Sequence, residues 1–328
     1  MAPFHKAVHV QDTLYDGEYK SYAGEIDPEW VIGAIPNGGY VLALLVNACI
    51  QYQAASSHRD PVHVTAHYLR TSIASRFEIR VRTVRNGRSF TNLTAELYQQ
   101  GILIITTHQI FGVNTPPSSG LSLAPASSYA RRIPLYTHPS TAVIQPLSDV
   151  WKFRSYVDWA PDDHILAKNA PDHPNRADSS TIGGDGLEWG AWFAFKDKSD
   201  KVMSPMLALL VDIFINIPSL LPPSERPGLG TSWFPTVVLA IEFKAPLPRF
   251  SASHANRTVG LYSSGKFLND GRHDAYVEVW TAPCNLGEGS ETSSWREEQV
   301  CLAIATQMAY IIPMGVNLER GKKKEVKL

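Results

Sequence analysis

Apolar and polar positions along this chain follow two periods, and the same order of periods occurs twice. In the first half the segments VHVTAHYLR, FEIRVRTVR, SFTNLTAELYQ and ILIITTHQIFG are rich in β-branched and aromatic residues. Phe77, Ile79, Val81 and Thr83 alternate with charged neighbours, as a strand with one buried face requires. Asn86-Gly87 and Gln100-Gly101 fall between those runs, where hairpin turns belong. Ahead of them residues 19–27 predict another strand. Pro36-Asn37-Gly38-Gly39 predicts a turn that launches an apolar helix over about 40–54.

The second half repeats the plan. GLEWGAWFAF predicts a strand, SPMLALLVDIFINIPSLL a long helix limited by Pro218, and TVVLAIEFKAPL, RTVGLYSSGKF, HDAYVEVWTA and EQVCLAIATQMAYI further strands. The string LALLV returns with Asn47 replaced by Asp212. Arg70 answers to Lys244, Asn86-Gly87-Arg88 to Asp270-Gly271-Arg272, and Gln109 to Gln307. Ordered matches of this kind imply a duplication with loop insertions. Each unit is then a long helix, apolar nearly all round, with four or five antiparallel strands. Such a helix needs wrapping on most sides, and a curled sheet does that. The predicted class is therefore α+β, two helix-and-sheet units side by side.

The composition over 114–150 shifts to Pro, Ser and Ala, which reads as a linker. The division expected is a first repeat at 1–113, the linker at 114–150, a second repeat at 151–315 and a basic tail at 316–328. The glycines of 168–186 do not match a dinucleotide fingerprint, and no phosphate-binding loop motif occurs.

A chain of 328 residues, 44% apolar and 19% charged, has material for a sizeable core. The net charge of −1 gives no electrostatic reason to expect nucleic acid or an anionic membrane as partner. No apolar run is long enough to span a membrane, and the first ten residues lack a secretory apolar region. Cys49, Cys284 and Cys301 have no metal-ligand spacing and fit buried thiols in a reducing compartment. The expected location is cytoplasmic, with a weak peroxisomal alternative because Lys327-Leu328 end the chain behind Val326.

Asp212 stands out chemically. A carboxylate among Leu209, Val211, Ile213 and Phe214 costs several kcal/mol, on the order of a buried charge, unless it is paired, hydrogen-bonded or neutralised. Asn47 has nearly the same shape and no charge, so one working site per chain is expected. A helix N-terminus at Gly38-Gly39, or near Ser204, supplies free N–H donors for a developing oxyanion, with Gly39 the preferred donor.

PNGGY at the helix start, HYLR (His67 to Arg70) and NGRSF (Asn86 to Phe90) occur in this order, with Trp30 ahead of them. In these motifs the chain resembles the double hotdog acyl-CoA thioesterase family, typified by bacterial thioesterase II. Trp30 with PNGGY resembles the broader thioesterase-like branch of fungi and actinobacteria more than thioesterase II itself. The resemblance implies a tandem hotdog with two long central helices, each wrapped by a curved antiparallel sheet. It also implies hydrolysis of an acyl thioester, on CoA or a carrier protein, by a water held by one Asp, one Thr and one Gln of the second repeat. Asp212, Thr236 and Gln307 occupy those positions. Neither a metal nor a redox cofactor is implied. The chain departs from thioesterase II at Val238, Leu239 and Ala240 after the Thr, and at Asn37 and Tyr40 of the glycine motif.

Other readings stay open at this level. Asp212 can be a structural carboxylate satisfied by Asn216, or a base that takes a proton from carbon in an isomerase, dehydratase or cyclase. The chain can also be a non-catalytic acyl-binding module. His63 and His67 lie about 13 Å apart on one strand face, and they and His108 read as polar strand faces. Arg70, Arg85 and Arg88 are candidates for CoA phosphates but read first as solvated strand ends. The absence of Gly-x-Ser-x-Gly disfavours a serine hydrolase. Unpaired sheet edges allow a homo-oligomer.

Overall fold

The computed structural model describes residues 3–114, 121–123, 127–174, 176, 184, 186–248, 251 and 253–322. Its frame is one antiparallel sheet. In chain order the strands are β1 (Gln11–Tyr15), β2 (Lys20–Glu25), β3 (Asp60–Tyr68), β4 (Arg76–Asn86), β5 (Thr91–Gln99) and β6 (Ile102–Gly112). The second half supplies β7 (Val157–Pro161), β8 (Leu187–Phe195), β9 (Thr236–Phe243), β10 (Thr258–Gly265), β11 (Arg272–Thr281) and β12 (Cys301–Tyr310). Across the sheet they run β1-β2-β4-β5-β6-β3-β9-β12-β11-β10-β8-β7, with the short strand Leu268–Asn269 beside β11. The order reads alike from either edge. The join is β3 against β9, with Ala66 opposite Leu239 and Val64 opposite Ile241. Two duplicated units thus make one continuous sheet.

The hairpins form where the turn residues stand. Gln100 and Asp270 take positive φ beside Gly101 and Gly271, as the tight turns between strands require. Strand alternation buries Leu93, Ala95 and Leu97 on one side of β5, and Val277 and Val279 on the same side of β11. Against that side lies α1 (Gly38–Gln53), sixteen residues with Tyr40 to Val46 wholly buried. Its solvent-shielded setting explains why it lacks a polar stripe.

The second central helix is not the long one expected. α2 covers only Ser204–Leu210, after which the chain turns at Val211-Asp212 and forms a separate turn of helix at Ile217–Leu220. No proline or glycine interrupts it before Pro218. What ends α2 is tertiary: the Asp212 carboxylate is drawn to the first turn of α1, where a backbone N–H meets it. Past that point Phe214, Ile215 and Asn216 leave the helical path and line a cavity. Nor is Asp212 satisfied by Asn216, whose side-chain oxygen accepts from His273 instead.

The linker residues 127–150 cover the outer face of β8, β10 and β11, where Ile133 and Leu135 pack with Trp192, Trp280 and Trp295. Gly190 and Gly260 make room, since a Cβ at either would strike Ile133 or Leu135. Of the basic tail expected at 316–328, residues up to Lys322 instead complete a packed helix, α3 (Met314–Lys322), with Asn317 fully buried. The remainder lies outside the described residues. Among the described residues no helix is long and apolar enough to cross a membrane.

In the first half, Asn47 donates from Nδ2 to the Val8 carbonyl at 2.8 Å. Tyr40 and Gln51 bond the carbonyls of Ala7 and Val10, tying residues 4–10 along α1. A carboxylate at position 47 has no proton for Val8. Asn47→Asp is therefore expected to destabilise the protein by about 1–3 kcal/mol at neutral pH, read by denaturant unfolding. Unchanged stability would show that this bond contributes nothing.

Candidate active site

Three elements bring the site together. The end of α2 presents Asp212, the bulged start of β9 presents Thr236, and β12 presents Gln307. Thr236 donates from Oγ1 to Asp212 Oδ1 at 3.0 Å. Gln307 donates from Nε2 to the same oxygen, and to Thr236 Oγ1 at 2.8 Å. The other carboxylate oxygen, Oδ2, accepts the Gly39 N–H at 2.7 Å. All three side chains chosen from the sequence meet in one hydrogen-bonded triangle.

Gly38 and Gly39 belong to the site as well, in different ways. Asn37 caps α1, its Oδ1 accepting from Tyr40 N at 2.9 Å, and its carbonyl accepts from Val41 N. With Gly39 N–H committed to Asp212, Gly39 is not the free oxyanion donor expected; it anchors the carboxylate. Gly38 N–H is the first-turn donor that remains without an acceptor in its own helix. Tyr68 was missed as a site residue, although it stands in the HYLR motif. Its hydroxyl donates to the Gly38 carbonyl at 3.0 Å and so holds the start of α1. Burial, helped by the Asp212 charge, pushes its pKa well up and keeps it a donor.

Burial is also the largest influence on Asp212, raising its pKa from 3.8 to about 6. The Gly39 N–H, Thr236, Gln307 and Asn37 pull the other way, so the group is still mainly ionised at neutral pH. Asp212, Thr236, Gln307 and Gly38 line one cavity of about 680 Å³. Its apolar wall includes Trp151, Phe214, Ile215, Trp233 and Phe234, which the sequence marked only as aromatic or apolar. Among the described residues no three His, Cys, Asp or Glu side chains converge as a metal site needs.

The duplicate position is dismantled. Val64 pairs with Gln109 as Leu239 pairs with Gln307, and both strands carry an irregularity at their starts. Three residues before Val64 stands Pro61, which offers no hydroxyl where Thr236 does. Asn47 replaces the carboxylate, and among the described residues Gln109 bonds only Thr107, its Oε1 left buried without a partner.

Residues 26–112 match the acyl-CoA thioesterase N-terminal domain, and residues 147–283 match the acyl-CoA thioesterase C-terminal domain. The chain belongs to the acyl-CoA thioesterase family. It is a thioesterase-like hydrolase by that membership. Gln307 and α3 lie beyond the residues matched to the family.

Solved structures agree in architecture. A candidate thioesterase II from Thermobifida fusca superposes with a TM-score of 0.65 at 22% identity, covering 95% of this chain and 98% of that one. A protein of unknown function with a hot dog fold from Alicyclobacillus acidocaldarius also gives 0.65, at 17% identity, covering 94% and 97%. At such identities the likeness shows the fold, which is the hotdog. The ustilagic acid biosynthesis cluster protein orf2 of Mycosarcoma maydis is 28% identical over 144 residues, 39% of this chain. The match spans 38% of that protein's length.

Proposed function

We propose that the chain hydrolyses acyl thioesters, on CoA or a carrier protein, with a water that Asp212 deprotonates. The observation that supports this reading is the Asp212–Thr236–Gln307 triangle in the wall of a cavity lined by both apolar and polar side chains. A carboxylate offers about four acceptor directions. Thr236 and Gln307 take Oδ1, the Gly39 N–H takes part of Oδ2, and the Asn37 side chain also acts on the carboxylate; the water is assigned to the side of Oδ2 that faces Gly38. That water attacks the thioester carbonyl as Asp212 accepts its proton. The oxygen becomes an anion against the Gly38 N–H, a preorganised donor of a type worth about 3 kcal/mol. When the C–S bond breaks, the thiolate takes the proton held on Asp212 and the acid departs. The partial likeness to a protein of a biosynthesis cluster fits an acyl group of lipid or polyketide metabolism.

Free-thiol release from a panel of acyl-CoAs tests the reading. Release is expected, with kcat/KM rising through pH 6 to a plateau near 7, because the free enzyme's base has its pKa at about 6. No thiol from any acyl-CoA or pantetheine thioester would refute hydrolysis. A rate independent of pH from 5 to 8 would remove Asp212 as the base.

A further inference from the structure

The cavity carries a charge pattern that hydrolysis by itself does not require. Among the described residues that line it the one carboxylate is Asp212, while three arginines, Arg70, Arg226 and Arg320, belong to its walls. They come from three separate segments: the chain just past β3, the loop after Ile217–Leu220, and α3. The arginines found in ion pairs are others, at 80, 82, 131, 132, 154 and 257. Arg70 donates from Nη1 to the Leu103 carbonyl at 2.8 Å. Arg320 donates from Nη1 to Thr71 Oγ1 at 3.2 Å and lies over the Trp233 ring at 5.7 Å. Arg226 has a buried Nε with no acceptor among the described residues. A buried donor left in this state costs free energy, and no acceptor among the described residues holds that edge of the guanidinium.

Arg320 is not placed there by chance of a loose terminus. The fully buried Asn317, one turn earlier in α3, accepts from Ala34 N at 2.8 Å and donates to the Ile32 carbonyl at 3.0 Å. Gly33 has φ +65°, and a Cβ there would lie 2.3 Å from Asn317 Oδ1. Helix α3 is thus keyed into the hairpin that leads to Asn37 and Gly38, and it lies outside the residues matched to the family. With a net charge of −1 over the whole chain, the cluster is a local feature rather than a general basicity.

We infer that Arg70, Arg226 and Arg320 form an anion subsite where the cavity opens, binding a phosphate or carboxylate that the substrate carries away from its thioester. Bidentate guanidinium groups suit either anion. The word substrate rests on the hydrolytic reading above; the subsite does not. Two sources can supply the anion: phosphates of the thiol carrier, or a carboxylate at the far end of the acyl chain.

The test compares wild type with Arg226→Gln and Arg320→Gln on paired probes. One pair presents the same acyl group on CoA and on N-acetylcysteamine, which has no phosphate. The second pair uses N-acetylcysteamine thioesters of a neutral chain and of an equally long chain ending in carboxylate. If the carrier phosphates are bound, the CoA to N-acetylcysteamine ratio of kcat/KM falls at least tenfold in the variants, through KM. If the acyl carboxylate is bound, the carboxylate to neutral ratio falls instead. Both ratios staying within twofold of wild type overturns the subsite. A folding defect lowers all rates together and leaves the ratios alone. Should wild type release no thiol, calorimetric binding of CoA and of glutarate is the readout. At least tenfold weaker binding of either in the variants keeps the subsite although hydrolysis has failed, and equal binding of both rejects it.

Discussion

Replacing Asp212 with Asn is expected to lower kcat/KM for thioester release by about 10²- to 10⁴-fold, the usual contribution of a positioned general base. It is also expected to leave the protein at least as stable above pH 6. Asn keeps the shape and one acceptor oxygen for the Gly39 N–H, and the Gln307 amide can turn to offer its own oxygen to the new NH₂. The pH dependence has a definite sign. Burial raises the folded pKa from 3.8 to about 6, so the folded state holds this proton more tightly than the unfolded chain does. That stabilisation is fully present below the unfolded value and is lost as pH rises through about 6. At pH 8 the ionised group therefore costs up to about 3 kcal/mol, at roughly 1.4 kcal/mol per unit. Part of the carboxylate faces the open cavity, so this is an upper figure. Thermal unfolding should show Asp212→Asn melting level with or above wild type at pH 8, with a smaller advantage at pH 5. Wild-type turnover in the variant would remove Asp212 as the base, and a melting loss greater at pH 8 than at pH 5 would contradict a costly buried charge.

The parts of this molecule that were legible in its sequence are those fixed by local periodicity. Strands β4, β5 and β6 show their buried faces by alternation, and Gln100-Gly101 marks its turn because few dipeptides accept two positive φ values. The ordered returns of LALLV, the Asn/Asp-Gly turns and the paired glutamines foretold a duplication, and the strand order, alike from either edge, agrees with it. Asp212, Thr236 and Gln307 needed more than periodicity: a lone strand threonine carries no signal, and the family pattern supplied the link. What the sequence could not express was competition between elements. Nothing in VDIFIN says that the helix stops, because the cause lies across the chain at the Gly39 N–H. Likewise Gly38-Gly39 reads as a free donor pair until α2 is seen to have claimed one of the two. Residues 316–322 read as part of the basic tail, since Asn317 reveals its role only against the Ile32 and Ala34 backbone.

Gly39→Ala is expected to be the most destabilising single methyl addition near the site, and Gly38→Ala one of the least. A Cβ on Gly39 would lie 2.3 Å from the Ala208 carbonyl oxygen, 2.6 Å from Asp212 Cβ and 3.0 Å from Leu209 Cα. None of these atoms can rotate aside, so α1 and α2 must move apart in a core where both are buried. Overpacking of this kind costs about 1–3 kcal/mol and at times more. It also stretches the Gly39–Asp212 bond, so activity should fall with stability. On Gly38 the nearest atoms are Asp212 Oδ2 at 3.2 Å and the Tyr68 ring at 3.3 Å, contacts that a shift of a few tenths of an ångström relieves. Alanine is also the better helix former by about 1 kcal/mol. Stability should therefore hold in Gly38→Ala while kcat/KM drops at least tenfold, because the methyl group fills the space beside Oδ2 that the attacking water needs. Denaturant unfolding paired with thiol release separates the two. A Gly38→Ala enzyme with full activity would put the water on another side of the carboxylate, and a Gly39→Ala protein as stable as wild type would mean that the two helices are not in the close contact that ends α2. Adjacent and identical, the two glycines are held to different standards: one by the distance between helices, the other by the room a reaction requires.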